Sequence, residues 1–204
     1  MRSFSSSTLQ LIRRLLRIGA VLLAAGEGRR FGGNKLIKRF MGDPIIVRSL
    51  RALDGLERVV VVGAYAKELL DYLPDEIVIY NPWWREGMST SVRLGLRFFA
   101  DYDAVLFHLA DMPLVTKETV SVILSGMKEG CDAVVPVHEG RRGNPVVVTK
   151  KLFALVNELK GDVGFREVLY RANTCEVPAG PEVLIDVDTE EDLARLSSSE
   201  RRPL

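Results

Sequence analysis

The chain has 204 residues, 47% of them hydrophobic, so it is long enough to bury a continuous core as a single domain. Its 28 basic and 27 acidic residues give a formal net charge of +1, which argues against nucleic acid or a charged membrane surface as a partner. No apolar run approaches the roughly 20 residues that cross a bilayer, so we expect no membrane partner.

Residues 1–17 differ in composition from the rest of the chain. They contain four arginines, a serine cluster and no acid, without the long apolar stretch of a secretory signal. We expect residues 1–17 to be a flexible N-terminal extension and residues 18–198 to form the folded domain. The two cysteines, Cys131 and Cys175, lack metal-ligand spacing and predict packed thiols in a reducing compartment, the cytoplasm.

Short runs rich in valine and isoleucine alternate with longer amphipathic segments along the chain. The predicted strands are residues 18–23, 58–62, 76–80, 104–108, 133–137, 145–148 and 182–185. The predicted helices are residues 44–52, 66–72, 89–99, 116–127, 150–157, 164–170 and 190–196. This alternation predicts a three-layer α/β/α, Rossmann-like fold with a mostly parallel mixed sheet. Such sheets bind ligands outside the carboxyl ends of their strands, here in the loops after Leu23, Tyr80 and His108.

A glycine-rich segment follows the first predicted strand, where residues 23–35 read LAAGEGRRFGGNK. Glycines allow successive backbone N–H groups to converge on a polyphosphate, and Arg30 and Lys35 can neutralise charge that builds at phosphorus. The glycine spacing differs from the dinucleotide pattern GxGxxG, and Asn34 stands where a P-loop has its lysine. The segment therefore predicts a phosphate-binding loop of another kind, with a glycine-rich turn carrying solvated basic residues as the alternative.

Two acids follow predicted strands. Asp111 lies after the fourth strand in the sequence LADMP, and Asp188 lies after the last strand in IDVDTEED. Carboxylates at such an edge can hold Mg²⁺, a hard cation that shares oxygen ligands with substrate phosphates. A turn aspartate without a metal is the alternative for Asp111. Thr189 and Asp192 have the spacing of a capping box for the final helix, which leaves Asp188 to face the cleft.

Six short motifs occur in order between residue 18 and about residue 196. They are LAAGEGRRFGGNK, Asn81 followed by GMSTSVRLGL, ADMP, GRRGNP, GDVGFR and DVDTEED. In this order they resemble the molybdenum cofactor cytidylyltransferase family, while single motifs are shared with molybdopterin guanylyltransferases and with sugar and isoprenoid cytidylyltransferases. The resemblance implies a nucleotidyltransferase fold and transfer of CMP from CTP to the phosphate of the molybdenum-molybdopterin cofactor, with release of pyrophosphate.

The resemblance also implies roles for individual residues. Arg30, Lys35 and Asp111 match catalytic positions, and Asp111 and Asp188 match positions that hold Mg²⁺ or Mn²⁺. The implied nucleotide-binding residues are Leu23, Ala24, Ala25, Gly26, Gly28, Lys35, Asn81, Gly87, Ser91 and Asp111. Ala25 matches a position that is alanine in cytidylyl enzymes and glycine in guanylyl enzymes, which favours CTP over GTP.

The resemblance further implies an acceptor and its partners. Arg141 and Arg142 are expected to contact a phosphorylated, pterin-type acceptor, because phosphate recognition favours arginine. A molybdoenzyme or its chaperone is expected as a protein partner. Phe31 stands where the family usually has methionine, and we expect this change to affect packing only.

Three alternatives stay open. A guanylyl-, isoprenoid- or sugar-type enzyme would perform the same chemistry with another nucleotide or acceptor. A nicotinamide oxidoreductase would use a similar sheet but is disfavoured by the glycine spacing. A non-catalytic nucleotide-binding protein would keep the loop without needing both acids. His108 and His138 have no nucleophile nearby in the sequence and are expected to be structural.

Overall fold

The elements follow the predicted alternation. The computed structural model describes residues 16–162 and 165–199. In this part of the chain the strands are β1 (Ile18–Ala24), β2 (Arg39–Phe40), β3 (Asp43–Pro44), β4 (Glu57–Val62), β5 (Val78–Tyr80), β6 (Ala104–Leu109), β7 (Ala133–His138), β8 (Arg141–Arg142), β9 (Val146–Thr149) and β10 (Thr174–Pro178). The α-helices are α1 (Ile45–Arg51), α2 (Ala66–Leu69), α3 (Met88–Phe98), α4 (Lys117–Ser125), α5 (Phe153–Asn157), α6 (Arg166–Tyr170) and α7 (Glu190–Ser199).

One mixed sheet forms the centre of the molecule. Its strand order is β10-β7-β9-β6-β1-β4-β5, with β8 paired to β7. β9 runs antiparallel to both β6 and β7, whereas β1, β4, β5 and β6 are parallel to their neighbours in this set. The strands β1, β4, β5, β6 and β7 therefore all end at one edge of the sheet, which we call the carboxyl edge.

The sheet is covered on both faces, as the continuous apolar strands require. Along β1, Leu22 contributes to one buried cluster and Val21 to the other, because successive side chains point to opposite faces. Helices α1, α2 and α4 supply buried side chains to the first cluster, and α3, α5 and α6 supply them to the second. The predicted three-layer α/β/α, Rossmann-like fold with a mostly parallel mixed sheet is confirmed.

The predicted strand at residues 182–185 is wrong. This segment forms a short 3-10 helix, Pro181–Leu184. Proline at its start has a fixed φ and no N–H group for a sheet ladder, so the apolar run that follows does not extend a strand. The last strand of the sheet is instead β10, which the sequence did not predict. The predicted helix at residues 164–170, which precedes β10 in the chain, begins at Arg166, and Gly164 lies outside the described residues.

The prediction of two unpaired thiols is also wrong. Cys131 and Cys175 form a disulfide, with their Cα atoms 5.7 Å apart. The pairing follows from the unpredicted strand, because β10 lies parallel to β7 and places Cys175 opposite Val134. The cysteines therefore give no support to a reducing compartment, and the expectation of a cytoplasmic location loses that argument.

Arg17, the residue just before the predicted start of the domain, contacts residues that precede β6. The Arg17 N–H donates to Asp103 Oδ2 over 2.8 Å, and the Arg17 guanidinium lies 4.2 Å from the centre of the Tyr102 ring. Residues 1–15 of the expected extension lie outside the described residues. Within residues 16–162 and 165–199, no helix has the length and apolar composition needed to span a membrane.

Candidate active site

The glycine-rich loop turns directly after β1 at the carboxyl edge. The Phe31 N–H donates to the Gly28 carbonyl over 2.9 Å, and Gly28 and Gly32 have φ values of +60° and +78°. These left-handed conformations explain the two glycines, because a side chain would strain the turn. Phe31 is buried and packs in the first core cluster, where it holds the loop against the sheet.

Lys35 leaves this loop at the start of a short 3-10 helix, Lys35–Ile37. The Asn34 side chain caps that helix by accepting from the Leu36 N–H over 3.2 Å, and its amide donates to Glu68 over 3.0 Å. Asn34 is buried, so this cap fixes the direction in which the chain leaves the loop. The ammonium group of Lys35 lies 2.7 Å from Asp111 Oδ2 and 3.1 Å from Asp188 Oδ1.

Asp111 follows β6, and buried backbone contacts hold it in place. The Ala110 N–H donates to the Leu23 carbonyl over 3.1 Å, and the Ala110 carbonyl accepts from the Ser49 hydroxyl over 2.9 Å. The Asp111 carbonyl accepts from the Val187 N–H over 2.9 Å. This last bond brings the segment that carries Asp188 to the carboxyl edge, although no strand leads to it.

The second acidic segment contributes two carboxylates. Asp188 pairs with Lys35 and also with Arg30, whose guanidinium lies 2.6 Å from Asp188 Oδ2. Asp186 lies beside them, and oxygens of Asp111, Asp186 and Asp188 lie within 4.8 Å of one another. Asp186 was not predicted from the sequence. The signal was its spacing from Asp188, because two residues separated by one neighbour in an extended segment point the same way.

The predicted capping box of the final helix is confirmed. The Asp192 N–H donates to the Thr189 hydroxyl over 3.1 Å, and the Thr189 N–H donates to Asp192 Oδ2 over 3.0 Å. Hydrogen bonds from Thr189 also lower the pKa of Asp192. Asp192 therefore serves α7, and Asp188 is left to face the cleft.

The charges of the site are coupled. Burial opposes the charge of Lys35, but the Asp111 and Asp188 carboxylates outweigh it and raise the pKa of the ammonium group. Loss of water around Asp186, together with the negative charges of Asp188 and Asp111, raises the pKa of the Asp186 carboxyl. Lys35 and Arg30 thus stand among three acids, and negative charge remains to be neutralised.

The glycine-rich loop, Asp111 and Asp188 line a cleft of about 250 Å³ at the carboxyl edge, and Asp186 lies outside its lining. Its lining residues are Leu23, Ala24, Gly26, Gly28, Arg29, Arg30, Gly33, Asn34, Lys35, Leu36, Tyr65, Asp111 and Asp188. The structure therefore brings together the residues that the sequence predicted in the glycine-rich loop and at the two acids. Ala25 does not line this cleft. It is buried, its carbonyl accepts from the Ala64 N–H over 3.1 Å, and its side chain faces Gly63.

Asn81 and Ser91, two further predicted nucleotide-binding residues, lie away from this cleft and contact each other. Asn81 is fully buried, and its side-chain amide donates to the hydroxyls of Thr90 and Ser91, each over 2.8 Å. Gly87 begins the same segment with φ of +105°. These side chains hold the start of α3, while the segment itself lies at the carboxyl edge after β5.

Arg141 and Arg142 lie on β8, which pairs with the end of β7. Both side chains are exposed, and the Arg142 Nε donates to Glu176 over 2.8 Å. The hairpin is at the carboxyl edge because β7 ends there. Of the histidines, His138 contacts the Ala179 carbonyl over 2.9 Å and His108 is fully buried in β6, so neither is in the cleft.

The sheet and the cleft define an α/β protein with a glycine-rich loop and a lysine–carboxylate centre at the carboxyl edge of the sheet. Residues 20–175 match the family model of the MobA-like NTP transferase domain. The chain is 31% identical to the probable molybdenum cofactor guanylyltransferase of Thermococcus gammatolerans, over 88% of this chain and 98% of the relative. It is 26% identical to the molybdenum cofactor cytidylyltransferase of Escherichia coli K12, over 86% of this chain and 93% of the relative.

The fold is also similar to that of Rv0371C from Mycobacterium tuberculosis H37Rv, solved in complex with manganese. The two share 22% identity with a TM-score of 0.74, over 90% of this chain and 99% of the mycobacterial chain. The chain therefore belongs to the MobA-like NTP transferase family. It is an enzyme, a nucleotidyltransferase.

Proposed function

We propose that the enzyme transfers CMP from CTP to the phosphate of the molybdenum-molybdopterin cofactor and releases pyrophosphate. The observation that carries this proposal is the contact of Lys35 with Asp111 and Asp188 beside the glycine-rich loop. A polyphosphate needs a concave backbone, a cation near the reacting phosphorus and oxygen ligands for a metal, and this cleft contains all three. The name of the Escherichia coli relative supports cytidylyl transfer to this acceptor.

The acids of the cleft fit a hard divalent cation. Asp111 Oδ1 is buried and has no hydrogen-bond partner among the described residues, and oxygens of Asp186 and Asp188 lie close to it. An unpaired buried carboxylate oxygen is costly unless a ligand satisfies it. Asp111 and Asp188 would hold Mg²⁺ or Mn²⁺, which would neutralise phosphate charge during transfer. The manganese complex of the mycobacterial neighbour supports a divalent metal.

The chain's own residues bind and orient the phosphates. The N–H groups of Phe31 and Gly32 are used inside the loop, which leaves those of residues 26–30 for the β- and γ-phosphates. Arg30 and Lys35 place positive charge beside the transferred phosphorus. Arg141 and Arg142 would bind the acceptor, since their hairpin lies at the same edge of the sheet.

The reaction needs no protein nucleophile. An oxygen of the acceptor's phosphate attacks the α-phosphorus of CTP, and a new O–P bond forms. The bond from the α-phosphorus to the oxygen that bridges to the β-phosphate breaks, and pyrophosphate leaves with the electron pair. Catalysis then consists of positioning and of charge stabilisation at the carboxyl edge.

Guanylyl transfer is the second candidate. The Thermococcus relative, at 31% identity, is named a probable guanylyltransferase, whereas Ala25 matches the cytidylyl pattern. Because Ala25 packs against Gly63 and does not line the cleft, it would influence base choice through the path of the loop backbone. A comparison of CTP with GTP therefore decides between the two candidates.

The test is a matrix of substrates with the full chain. Each of the four nucleoside triphosphates is incubated with Mg²⁺ and with molybdenum-molybdopterin, 2-C-methyl-D-erythritol 4-phosphate or a sugar 1-phosphate, and pyrophosphate release is measured. We expect release only with CTP and the molybdopterin acceptor together. Equal kcat/KM with GTP would overturn the cytidylyl assignment. Turnover with another acceptor and none with molybdenum-molybdopterin would overturn the assignment of the acceptor. Reactions lacking acceptor are the control for hydrolysis.

A further inference from the structure

The first turn of α3 is capped by a segment far away in the sequence. The first N–H groups of a helix have no partner inside it. Here the Met88 N–H donates to Asp162 Oδ1 over 2.8 Å, and the Ser89 N–H donates to the Gly161 carbonyl over 3.1 Å. Both donors lie in the GMSTSV motif and both acceptors in the GDVGFR motif. The cap therefore joins two motifs that the proposed mechanism leaves unconnected.

The absence of a side chain at Gly87 permits this contact. A Cβ atom at Gly87 would lie 2.4 Å from the Gly161 carbonyl carbon and 2.8 Å from the Asp162 nitrogen, closer than real Cβ contacts. Gly87 also has φ of +105°, which side chains disfavour. The backbone at residues 161–162 thus packs directly on the start of α3.

The same turn is held from its buried side. Asn81 donates to the Thr90 and Ser91 hydroxyls, and its carbonyl oxygen accepts from the Trp83 N–H over 2.9 Å. Asn81 is fully buried, whereas Asp162 is exposed. The segment between β5 and α3 is consequently fixed by one residue inside the fold and by one at the surface.

Asp162 also lies close enough to the glycine-rich loop for its charge to act on Arg29. The pKa of the Arg29 guanidinium is raised, first by a hydrogen bond and charge from Glu27 and in part by the charge of Asp162. Between the two segments, Gly63 packs against both the Ala25 carbonyl and Trp84. The segment that leads into α3 and the glycine-rich loop are therefore neighbours, with Gly63 between them.

We infer that Asp162 is a positioning residue that fixes the first turn of α3 beside the glycine-rich loop and, with it, Gly87 and Ser91, two of the residues expected to bind the nucleotide. This inference rests on the proposed function. Asp162 acts through residues 87–91 and needs no contact with the transferred phosphorus. Its loss should weaken nucleotide binding more than it slows the chemical step.

The experiment compares Asp162→Ala and Asp162→Asn with the wild type and with Asp71→Ala, an exposed acid of the 3-10 helix Leu70–Tyr72. The Kd of CTP with Mg²⁺ is measured by calorimetry and KM and kcat by pyrophosphate release. We expect Asp162→Ala to raise Kd and KM about 5- to 10-fold, a loss of binding free energy similar in size to the stabilisation that a capping side chain gives a helix end, with kcat changed less than about threefold. Asp162→Asn should restore most of the affinity, since an amide oxygen accepts the same N–H. Asp71→Ala should behave as wild type.

Fluorescence gives a signature independent of turnover. The chain contains two tryptophans, Trp83 and Trp84, and both lie in the held segment. Asp162→Ala should shift their emission to longer wavelength, and Asp162→Asn should not. Unchanged CTP affinity in Asp162→Ala, or an equal loss in Asp162→Asn, would overturn the inference. A wild type that binds CTP without transferring it would overturn the proposed function alone, and the affinities would still test Asp162.

Discussion

The ammonium group of Lys35 lies 2.7 Å from Asp111 Oδ2, while the second oxygen of the same carboxylate is buried without a partner among the described residues. Lys35 also pairs with Asp188, and Asp186 lies within the same cluster. Arg30 also pairs with Asp188, so two cations face three carboxyl groups. Lys35 stabilises this cluster, and a divalent cation bound there would compete with its charge.

Lys35→Met should separate these two effects. Removal of the ammonium group should lower kcat/KM at least about 100-fold, because a preorganised charge beside the reacting phosphorus is lost. The same substitution should increase Mn²⁺ affinity about tenfold, because a like charge next to the metal ligands disappears. Lys38→Met, at an exposed position of the same segment, is the matched control. Weaker Mn²⁺ binding in Lys35→Met, measured by electron paramagnetic resonance, would contradict this reading.

Asp111→Asn should keep the fold and nearly abolish turnover. The amide still accepts a hydrogen bond from Lys35, but a neutral oxygen binds Mg²⁺ poorly. Circular dichroism should be unchanged while pyrophosphate release falls about 100-fold or more. Asp101→Asn, an exposed acid before β6, controls for the loss of a charge. Near-normal turnover of the Asp111 variant at limiting Mg²⁺ would remove this carboxylate from the metal site.

The central strands could be predicted because the signal, an apolar composition, lies within each strand's own sequence. β1, β4 and β6 are buried on both faces and, apart from Glu57, Arg58 and His108, read as apolar runs. β10 could not be found in this way. It lies at the end of the sheet, ends in Pro178 and carries the polar Thr174 and Glu176, so its sequence lacks that signal. Its place depends on pairing with β7, which is a long-range contact.

The site residues likewise fall into those that could be predicted from local sequence and one that could not. The loop that carries Lys35 and the acid Asp111 follow strands that the sequence predicts, so their meeting at one edge could be expected. The position of Asp188 at the carboxyl edge could not be predicted from a preceding strand, because residues 181–184 form a 3-10 helix. It depends on the bond between the Val187 N–H and the Asp111 carbonyl.

Loss of the disulfide should lower stability without affecting catalysis. The bond between Cys131 and Cys175 closes a sequence separation of 44 residues, and such a loop predicts stabilisation of about 2 to 4 kcal/mol. For a domain of this size, the double variant Cys131→Ser/Cys175→Ser should melt about 5 to 10 °C lower. Turnover should stay within about twofold, because both cysteines lie near the starts of β7 and β10, opposite the carboxyl edge. An unchanged melting temperature in non-reducing buffer would show that the bond contributes nothing.

His108 should make folding stability depend on pH. Its ring is fully buried beside the apolar cluster under β6, both ring nitrogens lack partners among the described residues, and burial lowers its pKa from 6.5 to about 3. The unfolded chain binds a proton at this residue below about pH 6.5, whereas the folded chain does not until about pH 3. The contribution is therefore fully present above pH 6.5 and is lost progressively as the pH falls. From pH 7 to pH 5 the buried ring should reduce the free energy of unfolding by about 2 kcal/mol.

His108→Leu removes the titrating group and keeps a side chain of similar size. Urea unfolding of wild type and variant at both pH values measures the difference, and carboxylates common to both proteins cancel in the comparison. Equal losses of stability on acidification in the two proteins would mean that the buried ring takes up a proton without cost.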